Sequence, residues 1–253
     1  MPSAATQTLA ATLKTAARTA ALLAATLIAA GAGRADHHAE EPNTTQPGAE
    51  PPLAATSKNA EPDADGWVEL FNGKDLDGWR VSENPDTFRV AGGVMIAKGP
   101  RAHAFYVGKV GGADFKDFEL KFEAMTKPNA NSGVFFHTAY QETGWPAQGY
   151  EVQVNQTQGD RIKSGSIYGV KNLLDTSPVK DNAWYTTHVI VRGKRIVVKI
   201  NGEVVNEYTE PDDLTPPADR EGRRLSRGTI AIQGHDPGSE VHFRSIKVRM
   251  IEE

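Results

Sequence analysis

Between Asn131 and Asn155 the chain reads NSGVFFHTAYQETGWPAQGYEVQVN, two strand-like runs joined by a long loop. In the second run Tyr150, Val152 and Val154 alternate with Glu151, Gln153 and Asn155. Successive side chains of a strand point to opposite faces, so the three polar residues share one face and the apolar ones the other. A carboxylate followed by two amides offers acceptors and donors in a row, which is what sugar hydroxyls require. Three further positions read onto a polar face of this kind. His137 follows NSGVFF, and GTIAIQGH sets Gln233 and His235 opposite Ile230 and Ile232. Trp145 and Tyr168 supply flat aromatic surfaces on which a sugar ring can stack.

Such residues need rigid elements beneath them, and the sequence predicts strands. DFELKFEAMT alternates Phe118, Leu120, Phe122 and Ala124 with Glu119, Lys121 and Glu123, the period of a half-buried antiparallel strand. FRVAGGVMIAKG predicts a hairpin turning at Gly92-Gly93. WYTTHVIVRGKRIVVKINGEVVNEYTE predicts three short strands broken at Arg192-Gly193 and Asn201-Gly202. WVELF opens the series, the Pro- and Asp-rich stretch from Pro211 to Arg227 is a loop, and GTIAIQGH with EVHFRSIKVRMI closes it. No part of this body has the period of a three-turn amphipathic helix, and 24 glycines with 15 prolines suit a turn-rich fold. About a dozen short strands imply an all-β sandwich or jelly roll of two packed antiparallel sheets.

Composition narrows the partners. A net charge of -4 with dispersed basic residues argues against nucleic acid. The absence of cysteine excludes disulfides, thiolate-bound metals, thiol nucleophiles and a lipobox. Residues 1–32 read as an export signal, with Lys14 and Arg18 before an apolar run and Ala30-Gly31-Ala32 as a small-x-small cleavage site. The run is shorter than the roughly 20 residues a membrane span needs, so no span is expected after cleavage. A periplasmic or extracellular location follows as an expectation. Residues 33–65, rich in Pro, Ala, Glu and Thr, read as a disordered linker that buries too little apolar surface to order itself. His37 and His38 at its start read as solvated tail. The folded body is expected over 66–253.

From WVELFNGKDLDGW onward the body resembles the 3-keto-disaccharide hydrolase family, long catalogued as a domain of unknown function, with a concanavalin A-like lectin/glucanase fold. LFNGKDLDGW, DFELKFEA, NSGVFFH, GYEVQVNQ, SGSIYG, AWYTTHVIVRGKRIVVKINGEVV, GTIAIQGH and VHFRSIKV carry the resemblance in order, from about Gly66 to Arg249. Two positions depart from it. His137 stands where the family usually has arginine, and Asn155 where it often has aspartate.

The resemblance implies a saccharide oxidised at C3 as the substrate. A ketone there acidifies the C2 proton, and the group at C1 lies β to the carbonyl, so C2 deprotonation allows elimination followed by water addition. Such a site needs a base, a stabiliser for the C3 enolate oxygen and an acid for the departing oxygen. His137 or His235 is the expected base, Glu151 a second acid/base or a metal ligand, Lys163 the enolate stabiliser, and Gln153 a hydroxyl-orienting group. Asn155, Tyr168, Trp145 and Gln233 complete the expected binding surface. Retaining glucanases of this fold carry an acidic cluster such as ExDxE where this chain has Glu-x-Gln-x-Asn, which argues against a carboxylate nucleophile. The cofactor is left open: a divalent ion on His137, Glu151, His235 and Asp236 would polarise the ketone, but no HxH or HExxH spacing singles out ligands. His103, His188 and His242, Trp67, Trp79 and Trp184, and Arg244 read as packing or ion-pair residues. The competing reading is a lectin-like module of the cell envelope that binds glycan without turnover.

Overall fold

The computed structural model describes residues 61–252, so the segments read as export signal and most of the linker lie outside the described residues. Thirteen strands run in chain order: β1 (Val68–Glu69), β2 (Trp79–Val81), β3 (Phe88–Ala91), β4 (Val94–Lys98), β5 (Ala102–Tyr106), β6 (Phe118–Thr126), β7 (Asn131–Thr138), β8 (Tyr150–Asn155), β9 (Tyr185–Arg192), β10 (Arg195–Ile200), β11 (Glu203–Thr209), β12 (Thr229–Gly234) and β13 (Glu240–Met250). They form two antiparallel sheets. The larger has the order β11-β10-β9-β6-β13-β4-β3, with β1 paired to β13, and the smaller the order β2-β5-β12-β7-β8. This is the expected jelly-roll sandwich.

Turn chemistry sets several registers. Gly92 and Gly93 both take positive φ, and Ala91 pairs directly with Val94 across a two-residue loop. Asn201 and Gly202 do the same between β10 and β11. Mirror-image turns of this type match the twist of the strands they join, which is why such pairs mark hairpins.

Alternation along β6 buries Phe118, Leu120, Phe122 and Ala124 against the inner face of the smaller sheet. That inner face carries Tyr150, Val152 and Val154 from β8 and Ile230 and Ile232 from β12. Its outer face therefore receives Glu151, Gln153 and Gln233, which positions the site. Residues just before Gly66 are hydrogen-bonded to the body. Asp63 accepts the Trp67 backbone N–H on its side chain at 2.9 Å, and Arg249 Nη1 donates to the Asp65 carbonyl at 3.1 Å. Trp79 is core and hydrogen-bonds the Leu70 carbonyl, Arg244 pairs with Glu123, and His188 and His242 pair with Glu119 and Glu240. No helix among the described residues is long and apolar enough to cross a membrane.

Candidate active site on the outer face of the smaller sheet

Glu151 stands on β8 beside the edge of β7 and reaches across β7 to β12. The crossing depends on Gly133, the glycine of NSGVFF, which pairs with Gln153. A methyl group at Gly133 would collide with Glu151 Oε1. The carboxylate fills that gap and accepts a hydrogen bond from Gln233 Nε2 at 3.0 Å. Gln153 is held in turn, its Nε2 donating to Asn131 Oδ1 at 3.1 Å. The side-chain oxygens Oε1 of Gln153 and Gln233 are buried without a protein partner.

Above this floor lies a cavity of about 900 Å³, bordered by Glu151, Gln153, Gln233, His235, Tyr168 and Trp145. Its remaining wall is the segment 218–223, which brings Arg220 and Arg223. Gly149 N–H donates to the Gly222 carbonyl at 2.9 Å, pinning that segment to the end of the loop before β8. Gly222 itself must lack a side chain, because a methyl there would strike the Ala147 carbonyl. The two guanidinium groups lie over Gly169, where an added Cβ would sit 2.6 Å from Arg223 Nη1 and 3.1 Å from Arg220 Nη1.

Charge in the cavity is poised. Burial pushes the Glu151 carboxyl from its ordinary 4.5 up to about 8, against the pull of Arg223, the Gln233 hydrogen bond and Arg220. Burial and the adjacent Arg220 charge lower the proton affinity of Arg223. Its side chain makes no hydrogen bond or ion pair among the described residues. Among the described residues Arg220 forms an ion pair with its neighbour Asp219 alone, at 3.6 Å. Tyr168 donates its hydroxyl to Asp160 Oδ2 at 3.2 Å. His235 Nδ1 lies 2.7 Å from Asp236 Oδ2, and Asp236 is fixed by Ser239 Oγ and the Gly238 N–H, each at 2.8 Å. The carboxylate holds Nδ1–H and leaves Nε2 without a partner, the arrangement of an oriented acid/base.

Six of the nine residues expected from sequence therefore meet at one cavity: Glu151, Gln153, Gln233, His235, Tyr168 and Trp145. Three do not. His137 takes φ +56 at a register shift between β7 and β12, which turns its ring off the outer face. There it packs on Phe118 and Phe136, donates Nε2–H to the Lys116 carbonyl at 2.8 Å and accepts the Ser226 N–H on Nδ1 at 3.1 Å. Both nitrogens are committed, so His137 is a structural residue and not the base. Lys163 is likewise spent inside its own loop, Nζ donating to the carbonyls of Gln158 and Asp160 at 2.8 and 2.7 Å. It does not border the cavity. Asn155 Nδ2 closes the same loop onto the Asp160 and Ile162 carbonyls, at 3.0 and 2.9 Å, and does not border the cavity. Arg220, Arg223 and Asp160 are site residues that pattern reading missed. Among the described residues no three His, Asp or Glu side chains converge on a metal-binding position.

The fold is a jelly-roll sandwich with a polar cavity on the outer face of one sheet, and the comparisons with known proteins give its family. Residues 66–249 match the model of the 3-keto-alpha-glucoside-1,2-lyase-like domain, and the chain belongs to that family. A protein of Bacteroides thetaiotaomicron named 3-keto-disaccharide hydrolase is 24% identical over 240 residues, covering 75% of this chain and 80% of its own length. Two solved structures from Parabacteroides distasonis, provisionally assigned as glycosyl hydrolases, share the fold. One superposes with a TM-score of 0.61 at 20% identity, covering 75% of this chain and 95% of the other. The second gives 0.56 at 24% identity, covering 73% and 99%.

Proposed function

We propose that the protein cleaves glycosides carrying a ketone at C3, by removal of the C2 proton and elimination of the C1 substituent. The observation that carries this reading is Glu151: one buried carboxyl of raised proton affinity on the floor of the cavity, facing two arginines. A paired-acid glycosidase needs two carboxyl groups about 5 to 10 Å apart across the scissile bond. Here the strand neighbours of Glu151 on the same face are amides, and of the loop carboxylates that border the cavity, Asp160 is engaged by Tyr168 and Asp219 by Arg220.

Roles follow from position. Ionised Glu151 takes the C2 proton, and the electron pair moves to the C3 oxygen as an enolate. Arg223 and Arg220 face that developing charge, a duty the sequence had suggested for Lys163. Collapse of the enolate reforms the ketone, makes the C1–C2 double bond and breaks the C1–O bond. His235, oriented by Asp236, gives the departing oxygen its proton. Water then adds at C1, His235 accepting its proton, and Glu151 returns a proton to C2. Net hydrolysis results. The Gln153 and Gln233 side chains line the cavity beside Glu151 and help to hold the sugar ring with C2 over the carboxylate.

Export to the periplasm or exterior is part of the proposal and rests on the sequence of residues 1–32. Mass determination of the N-terminus of the mature protein checks it, with a start just after Ala32 expected. For the activity, the purified protein is incubated with a 3-keto-glucoside and with its unoxidised parent. Release of the aglycone from the keto form alone is expected. Saturable binding of both with no release supports the lectin-like alternative instead.

A further inference from the structure

The cavity is lined both by the polar set of Glu151, Gln153, Gln233 and the arginines and by Trp145. Trp145 is 46% exposed, yet it is braced on three sides. The His103 ring meets it edge-on at 5.5 Å, the His235 ring lies 5.4 Å away, and the Arg101 guanidinium sits 5.1 Å from its centre. Its loop is rigid as well. Gln141 Nε2 donates to the Thr143 and Trp145 carbonyls, Gln141 Oε1 accepts the Ala147 N–H, and the Gly144 N–H donates to Glu83. An exposed tryptophan fixed this firmly is a preformed platform, with little ordering left for a ligand to impose.

The polar groups around the platform are used or out of reach: the unpartnered ring nitrogens of His103 are wholly buried, and His235 Nε2 serves the departing oxygen. Glu83 takes two hydrogen bonds from Arg101 in addition to that of Gly144, and Gln141 is fully engaged. Phe135, the cross-strand partner of Glu151, meets the same His103 ring as Trp145 and packs with Phe105 and Tyr140. A second sugar ring bound on Trp145 would find a stacking surface but few partners for its hydroxyls. A flat apolar ring loses nothing.

From this we infer that the Trp145 platform is the leaving-group subsite and that it is built for an aryl aglycone. The inference rests on the elimination reading above, because His235, the donor to the departing oxygen, is the residue that touches Trp145. It departs from the disaccharide in the name of the Bacteroides relative.

The test uses the full chain and Trp145→Ala, with Trp145→Phe as the conservative variant. Initial rates are measured on phenyl and methyl 3-keto-glucosides and on a 3-keto-disaccharide. The phenyl-over-methyl ratio of kcat/KM is expected to fall about tenfold in Trp145→Ala, the size of one aromatic pair, and to recover in Trp145→Phe. An equal loss on phenyl and methyl substrates overturns the inference, as does a larger loss on the disaccharide than on the phenyl glycoside. Tryptophan fluorescence separates this outcome from failure of the cleavage reading itself. If no keto-glycoside is turned over, saturable quenching by phenyl glucoside that disappears in Trp145→Ala still supports the aryl subsite, and its absence overturns it.

Discussion

Replacing Glu151 by glutamine should make the protein more stable and nearly inactive at once. The carboxyl is only 8% exposed, and burial lifts its proton affinity from 4.5 to about 8. A carboxyl raised in the fold opposes folding once pH passes its unfolded value. Between pH 4.5 and 7 the unfolded chain releases this proton while the fold retains it, and stability falls as pH rises. At about 1.4 kcal/mol per pH unit, the penalty reaches about 3 kcal/mol at pH 7. Glutamine keeps the shape, carries no charge and still accepts from Gln233. The variant should therefore match the wild type near pH 4.5 and exceed it by up to about 3 kcal/mol at pH 7, a rise in Tm of roughly 6 to 12 °C. Urea unfolding of both proteins from pH 4.5 to 7.5 reads the difference. Turnover of a 3-keto-glucoside should fall by a factor on the order of 100 or more. A stability difference that does not change with pH would refute the reasoning, because it would mean that the carboxyl ionises as freely in the fold as in the unfolded chain.

Arg223 pulls the Glu151 proton affinity down, so Arg223→Met should raise it further. The rising limb of kcat/KM against pH, which reports the ionisation of the base, should then move to higher pH, and kcat should fall roughly 100-fold with the loss of charge opposite the enolate. Gly133→Ala places a methyl group against Glu151 Oε1; denaturation should show about 1 to 3 kcal/mol of destabilisation, and kcat should drop as the carboxylate is displaced. His103 is wholly buried and lowered to about 3, with neither ring nitrogen partnered. Below about pH 6.5 the unfolded chain gains a proton at this position that the fold refuses, so stability is lost as pH falls. His103→Phe should flatten the acid side of the stability profile, as measured by urea midpoints between pH 4 and 7.

Strand alternation made much of this legible. The period-two pattern of Glu151, Gln153 and Gln233 stated which face each side chain occupies, and the sheets follow it. His137 escaped because alternation assumes an unbroken register. One residue at φ +56, at a register shift no spacing announces, turned it away. Lys163 and Asn155 have suitable chemistry but spend it on carbonyls of a local loop whose path no periodicity describes. Arg220 and Arg223 lay in the Pro- and Asp-rich stretch, where only three-dimensional closure assigns a neighbour. Gly222 and Gly169 were the available signals, since close approach of backbone or of guanidinium requires a residue without a side chain. The unpartnered side-chain oxygens of Gln153 and Gln233 are likewise a property of packing, not of residue type.

The central claim is that the C2 proton leaves the substrate and is replaced. Turnover of a 3-keto-glucoside in deuterated water, followed by analysis of the released 3-keto-sugar, tests it directly. Deuterium at C2 beyond the exchange of an enzyme-free control, in those turnovers in which Glu151 exchanges its proton with solvent before returning it, is the predicted result, together with slower turnover of a substrate deuterated at C2. Release of the aglycone with no deuterium at C2 and no slowing of the C2-deuterated substrate would contradict the account and assign cleavage to direct displacement at C1.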